Sequence, residues 1–162
     1  MVIIKIEGVP GQFPGNPCEG DLMNGIEVSS LNWGSNVELS GSGGSFSAST
    51  VRLQNITFTK ALDKATGPLM TFCATGRHLK NAKIYYLRSG AAAGMYVVLK
   101  IELSEIVVSG YTLNGSSGGE DPVESISFAP AKISITYQQL KPDGQLGAPE
   151  KAGWDIKQSM QI

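Results

Sequence analysis

The residue types that most often carry chemistry are few in this chain and poorly spaced for it. His78 is the only histidine. It follows Gly76 and Arg77 at the expected end of a helix, where a cation or a hydrogen-bond donor is favoured electrostatically. No serine sits on the strand-to-helix turn that makes a nucleophile elbow. The glycine runs GSGGS and SSGGED lack the Gly-Lys-Ser/Thr sequence that would hold nucleotide phosphates. Glu120, Asp121 and Glu124 could coordinate calcium, but the spacing of an EF-hand loop is missing, and a solvated or subunit-bridging turn is the expectation. Cys18 and Cys73 form neither a disulfide framework nor a metal site, and Cys73 reads as a small buried hydrophobe. Trp33 and Trp154 each lie where a strand core begins or ends, which suits packing anchors better than glycan platforms. The chain is not expected to be an enzyme, and no cofactor or metal is implied.

Composition bounds the partners. Charged residues make up 17% of 162 residues and the formal net charge is -1, so there is no electrostatic footprint for nucleic acid or for insertion at an anionic membrane. No apolar run approaches the roughly 18 residues of a membrane span. The opening MVIIKIEG is broken by Lys5 and Glu7 and reads as a strand rather than a secretory signal. The length suits a single domain over residues 1–162.

The elements that must position these residues are mostly strands. Residues 2–7 alternate, with Ile4 and Ile6 on one face. A loop rich in Pro and Gly follows, and residues 26–33 form a second strand with Ile26 and Val28 inward. The stretch GSNVELSGSGGSFSAST reads as a long mobile loop; its apolar Val37, Leu39 and Phe46 would be exposed in a monomer and are expected to pack on a neighbouring subunit. Val51, Leu53, Ile56 and Phe58 follow at strand spacing, with Asn55 as a bulge. A helix is predicted over about residues 66–75. Asp63 and Thr66 stand at its start, Leu69, Met70, Phe72 and Cys73 form its apolar stripe, and Gly76 ends it. Val97, Leu99, Ile101 and Leu103 share one face of the longest strand, which bulges at Ser104–Glu105. Ile126, Phe128, Ile133, Ile135 and Tyr137 follow. Trp154, Ile156, Met160 and Ile162 alternate with Asp155, Lys157 and Ser159 in a last strand. The fold class is mainly β: a β-barrel or split barrel of antiparallel sheets, capped by one short α-helix.

Six segments, in order, carry a resemblance to a known family: KIEGVPG, IEVSSLNWG, LQNITFTKALDKATGPLMTFCATGRHLKNAKI, VVLKIELSEIVVSGY, SGGEDPVESISFAPAKISITYQ and GWDIKQS. Together they resemble the Hcp (haemolysin-coregulated protein) family, the inner-tube component of the bacterial type VI secretion system. The chain departs from the family in its first loop, QFPGNPCEGDLMNG.

The resemblance implies a barrel-like protomer that forms a homohexamer, with rings stacking into a tube. The implied partners are a VgrG-like spike protein, a contractile sheath and effector proteins carried in the ring lumen. Assembly would be cytoplasmic and release would occur through the machine, without a signal peptide. Val37, Glu38, Leu39 and Phe46 are then candidate subunit contacts, as is the turn Gly118, Gly119, Glu120 and Asp121. Ser30 and Asn32, polar positions at the end of the second strand, are candidate lumen residues. Two other readings use the same residues: the tail tube of a phage-like contractile particle, or a monomeric carbohydrate- or ligand-binding β-sandwich.

Overall fold

A computed structural model describes residues 1–15, 20–40, 47–90, 94–115, 117–119 and 121–162. In chain order these form β1 (Val2–Ile6), a 3-10 turn (Gly20–Leu22), β2 (Ile26–Val28), β3 (Ser30–Asn32), β4 (Ser35–Ser40) and β5 (Ser47–Leu53). Next come β6 (Ile56–Ala61), α1 (Thr66–Thr75), β7 (His78–Ser89), β8 (Met95–Asn114), β9 (Val123–Tyr137), β10 (Glu150–Asp155) and β11 (Met160–Gln161). All strand pairs are antiparallel. β2 pairs with β1, β1 with β7, β7 with β8, β8 with β9, β9 with β6 and β6 with β3. β2 and β3 are one run bent at Ser29, whose N–H donates to the Thr59 carbonyl at 2.8 Å. The ladder therefore returns to its start and closes a barrel, which removes most free edges. β10 and β11 extend as a wing from the second half of β9.

The residues 26–33 run is thus two strands serving two partners. Residues 35–40 and 47–50, expected within a long loop, are strand. β4 and β5 form a two-stranded ribbon that pairs with nothing else among the described residues. Asn55 is the break between β5 and β6 rather than a bulge within one strand, because the two strands belong to different sheets.

The core is closed by Ile4, Ile26, Ile56, Phe58, Leu69, Ile84, Ile106, Ile126 and Phe128, all fully buried. Phe58 and Phe128 meet edge to face, with ring centroids 5.0 Å apart. The inward alternation shifts by one residue on three adjacent strands at the same level: Leu79 to Ala82, Leu103 to Ile106, and Phe128 to Ala131. The pairs Leu79–Ile106–Pro130 and Asn81–Ser104–Lys132 flank this level in unbroken register, and Glu105, between them, has φ 50°. Matched extra residues turn the faces together while the ladder keeps its count, so the predicted irregularity at Ser104–Glu105 is a kink of the whole sheet. Separate register shifts lie between Val108 and Gly110 and between Tyr86 and Leu87.

The second shift corrects the expected face of β8. Val97 and Met95 turn away from Leu99 and pack with Phe13, Ile3, Leu22, Tyr85 and Leu87 in a small outer cluster. The Pro/Gly-rich loop is the strap over this cluster. It fits closely at Gly11, where a Cβ would stand 2.2 Å from the Gly25 carbonyl oxygen.

The helix has the predicted limits. Gly76 closes it at φ 64°, a left-handed conformation suited to glycine. Its N-cap, Ala65, supplies no side-chain bond; Asp63 accepts from the Ala65 N–H at 2.8 Å, and Thr66 accepts from the Asp63 N–H at 3.1 Å. Leu69 is buried and Phe72 and Cys73 pack partly on the core, but Met70 faces solvent. The final strand is also shorter than expected. β10 ends at Asp155, which is buried and accepts from the Gln158 N–H at 2.9 Å, so the chain turns and returns as β11. Tyr137, expected inward, is exposed.

Candidate interaction surfaces

Alternation sends one side chain in two to the outside of the barrel, and on β3, β6, the Val123–Phe128 half of β9 and the end of β8 those outward positions are uncharged. Ser30 pairs with Thr59, Thr59 with Ser125, and Ser125 with Thr112, a row four strands wide. The next row is Asn32, Thr57, Ser127 and Gly110, and on the other side lie Ala61, Val123 and Asn114. Ser30 and Thr59 share a hydroxyl hydrogen bond of 2.6 Å. At the border, the Asn55 carboxamide donates to Ser109 at 3.0 Å, and Ser109 donates to the Ser127 carbonyl at 3.1 Å. Ser30 and Asn32, singled out from the sequence, are both exposed and both on this face.

Directly beneath it lies a buried ionic node. Lys60 and Glu124 are fully buried and 2.5 Å apart. The Lys60 ammonium also reaches Asp63 at 2.7 Å and the Ala61 carbonyl at 2.9 Å. Glu124 accepts from Thr66 at 3.0 Å and from the Tyr111 phenol at 2.5 Å. Four elements, β6, β9, β8 and the start of α1, are tied at one point, with the carboxylates near the positive end of the helix. Burial, reinforced by Glu124, pushes the Tyr111 phenol up to about 12.

The remaining candidates are at the periphery. Val37, on the β4–β5 ribbon, is exposed; Glu38 and Leu39 follow it on the same strand, with Glu38 paired to Thr50 and Leu39 to Ala48. Phe46, Glu120 and Cys18 lie outside the described residues. Gly118, Gly119 and Asp121 are exposed beside the β8–β9 turn, with Gly119 at φ 87°. Glu124 is thus separated from Asp121 in role: it points into the barrel. His78 is exposed at the start of β7, opposite Val107, and no group of three or more His, Cys, Asp or Glu that could hold a metal ion occurs among the described residues.

The opposite part of the barrel surface is charged. Lys83 and Asp21 are 3.3 Å apart, Lys100 and Glu102 3.3 Å, and Lys132 and Asp155 3.2 Å, while Lys157 contacts Glu105. A groove of about 660 Å³ runs here between Lys5, Glu7, Asn81, Lys83 and Glu102. The Tyr85 phenol, donating to Asp21 at 2.5 Å, and the Lys83 ammonium hold the Asp21 carboxyl below the usual carboxylate range.

A family model described as "Type VI secretion system effector, Hcp" matches residues 3–137. The chain belongs to the Hcp family. The protein hcp1 of Pseudomonas aeruginosa is 36% identical over 112 residues, 68% of each chain. A solved structure of a type six secretion system protein superposes with TM-score 0.89 at 20% identity, covering 99% of this chain and 98% of that one. Hcp1 from Salmonella typhimurium superposes with TM-score 0.77 at 25% identity, covering 99% and 97%. Hcp membership makes the chain a structural tube protein of the type VI secretion system, of a family not known for catalysis. No helix among the described residues is long and apolar enough to cross a membrane.

Within this Hcp chain, sequence reasoning missed the node. Lys60 and Glu124 both fall at inward positions of otherwise apolar alternation, Ile56-Phe58-Lys60 and Glu124-Ile126-Phe128. A charge of each sign breaking two inward patterns is the available signal, whereas the sequence reading groups Glu124 with Glu120 and Asp121 in a turn and gives Lys60 no role.

Proposed function

We propose that the protein is the ring-forming subunit of a type VI secretion tube, one Hcp-like domain per copy. Six copies close a ring, rings stack, and the lumen carries effector proteins out of the cell. The observation that carries this reading is the β4–β5 ribbon. An isolated two-stranded ribbon is marginal in water, and this one leaves the barrel with Val37 exposed, so a neighbouring copy is the natural place for it to be buried. Val37, Glu38, Leu39 and Phe46 are assigned to that contact, and the Gly118–Asp121 turn, including Glu120, to a second contact between copies. Ser30 and Asn32 face the lumen. A VgrG-like spike would sit at the tube end, the contractile sheath would surround it, and assembly would precede release from the cytoplasm through the machine. The partial burial of Trp33 and Trp154 against the core counts against their use as sugar platforms in a monomeric binding module.

The test is the solution mass by light scattering, with negative-stain images of the same peak. A six-subunit ring with an open centre is expected, and a monomer at all concentrations would remove the proposal. Deleting residues 36–45 should leave a folded protomer that no longer forms tubes; tubes that persist would clear the ribbon of the stacking role.

A further inference from the structure

Two asparagines precede a glycine, Asn24–Gly25 and Asn114–Gly115, and the fold treats them oppositely. In such a pair the following amide nitrogen reaches the side-chain carbonyl carbon readily, because glycine has no Cβ to restrict the backbone. Exposure does not separate the two, since both asparagines are exposed. Backbone hydrogen bonding does.

Asn24 lies on the strap over the outer cluster, with φ 59°. Its N–H donates to the Phe13 carbonyl at 2.8 Å, its carbonyl accepts from the Gly11 N–H at 2.8 Å, and the Gly25 carbonyl accepts from the Phe13 N–H at 2.9 Å. The Gly25 N–H, the group that would have to attack, donates to the Leu22 carbonyl at 3.0 Å. Gly25 is packed so tightly that a Cβ there would stand 2.4 Å from Ile3 Cγ2. Asn114, by contrast, is the last residue of β8, opposite Val123 at the end of the ladder. Gly115 follows it and is exposed. Among the described residues, neither the Asn114 carboxamide nor the Gly115 N–H has a hydrogen-bond partner, and the ends of a ladder open most readily.

We propose that Asn114 is a site of spontaneous deamidation in the folded protein and that Asn24 is not. The Gly115 amide nitrogen gives up its proton and bonds to Asn114 Cγ, and the carboxamide nitrogen takes up a proton and leaves as ammonia. Water then opens the cyclic imide at either carbonyl, giving aspartate or isoaspartate. Each event adds one negative charge to a chain of formal net charge -1, on a stretch where Thr112, Val123 and Ser125 are neutral. The isoaspartyl product also lengthens the main chain by a methylene and breaks the Asn114–Val123 pairing. The site belongs to the single copy and does not rest on the ring reading.

The experiment incubates the purified full chain at mildly alkaline pH, digests it at intervals, and follows each asparagine peptide by mass and by chromatographic separation of the two acid products. The Asn114 peptide should convert to both. Four hydrogen bonds hold Asn24–Gly25, each worth about two- to tenfold in an opening equilibrium, so Asn24 should convert at least about tenfold more slowly. In urea, where neither backbone is held, the two rates should converge. Gly115→Ala places its Cβ in ordinary contact with Pro122 at 3.7 Å, and its stiffer backbone should slow conversion by at least about twofold. An Asn114 that stays intact in the folded chain, or an Asn24 that converts as fast, would overturn the inference. A Gly115→Ala variant that reacts at the wild-type rate would overturn the imide route.

Discussion

The β8–β9 ladder is built in opposite senses on its two sides of Glu105. Toward Leu99–Ser104 and Lys132–Tyr137, hydrocarbons point inward and lysine–carboxylate pairs lie outside, among them Lys100–Glu102 and Lys132–Asp155. Toward Val108–Asn114 and Val123–Phe128, hydroxyls lie outside and the charges, Lys60 and Glu124, are buried. The kink at Glu105 and the register shift between Val108 and Gly110 set which positions face outward on each side, and the residues chosen for those positions make the difference. A lysine–glutamate surface exposes strongly hydrated charges whose pairs add little stability, about 0–1 kcal/mol each. A neutral hydroxyl surface instead presents groups that both donate and accept. The inward turn of Lys60 and Glu124 keeps that surface neutral at the expense of a desolvated pair, which only complete hydrogen bonding makes tolerable. No buried side-chain nitrogen or oxygen among the described residues lacks a partner.

This contrast is easiest to break at its buried end. Glu124→Ala should lower stability by about 3–5 kcal/mol in urea unfolding, because Lys60 is left charged and dry. Replacing both partners, Lys60→Met with Glu124→Leu, should recover much of that loss. If the single and double variants unfold alike, the pair is not the source of the effect.

A matched pair of phenols sharpens it. Tyr111 and Tyr85 each donate to a carboxylate at 2.5 Å, one buried and one accessible. Tyr111→Phe should cost about 1–2 kcal/mol, since Glu124 loses a partner that water cannot replace, and Tyr85→Phe less than about 1 kcal/mol, since water reaches Asp21. In the wild type, absorbance should show one phenol ionising near about 12. Because the folded value lies above the ordinary one, its contribution to stability is present below about pH 10 and is lost as pH rises through about 12.

Asp155 gives a smaller and pH-dependent effect. Its carboxyl is held below the usual range, first by the Gln158 backbone N–H and then by Lys132. A lowered folded value means that the contribution is present above the ordinary carboxylate range and fades as pH falls through the folded value. Asp155→Asn should therefore be less stable than wild type at neutral pH, with the two melting curves converging in acid. A gap that persists in acid would assign the effect to lost packing. Smallest of all, Lys100→Gln should shift stability by no more than about 0.5 kcal/mol, and high salt should erase even that.

The helix limits, the mainly-β class and the outward placement of Ser30 and Asn32 were legible because each follows from a local rule: a turn of capping chemistry, a period of two, a glycine in the left-handed region. The irregularity at Ser104–Glu105 was legible for the same reason. The strap over the outer cluster was not, since Ile3 and Tyr85 lie on the face that alternation marks as wet, and only the return of Phe13 and Leu22 over them makes it dry. The β4–β5 ribbon was read as a loop because Gly and Ser dilute its alternation, and its pairing is a property of two segments together.

By itself, then, the order of residues determined the main barrel strands, the one helix and the family whose motifs run from Lys5 to Ser159. Tertiary structure alone decided which strands close the barrel, that Ser30, Thr59, Ser125 and Thr112 stand in one row, and that Lys60 meets Glu124. Periodicity along a chain states which side chains share a face of one strand. Which faces become neighbours depends on register between strands far apart in sequence, and a single-residue register shift such as the one between Tyr86 and Leu87 moves a side chain of the partner strand to the other face.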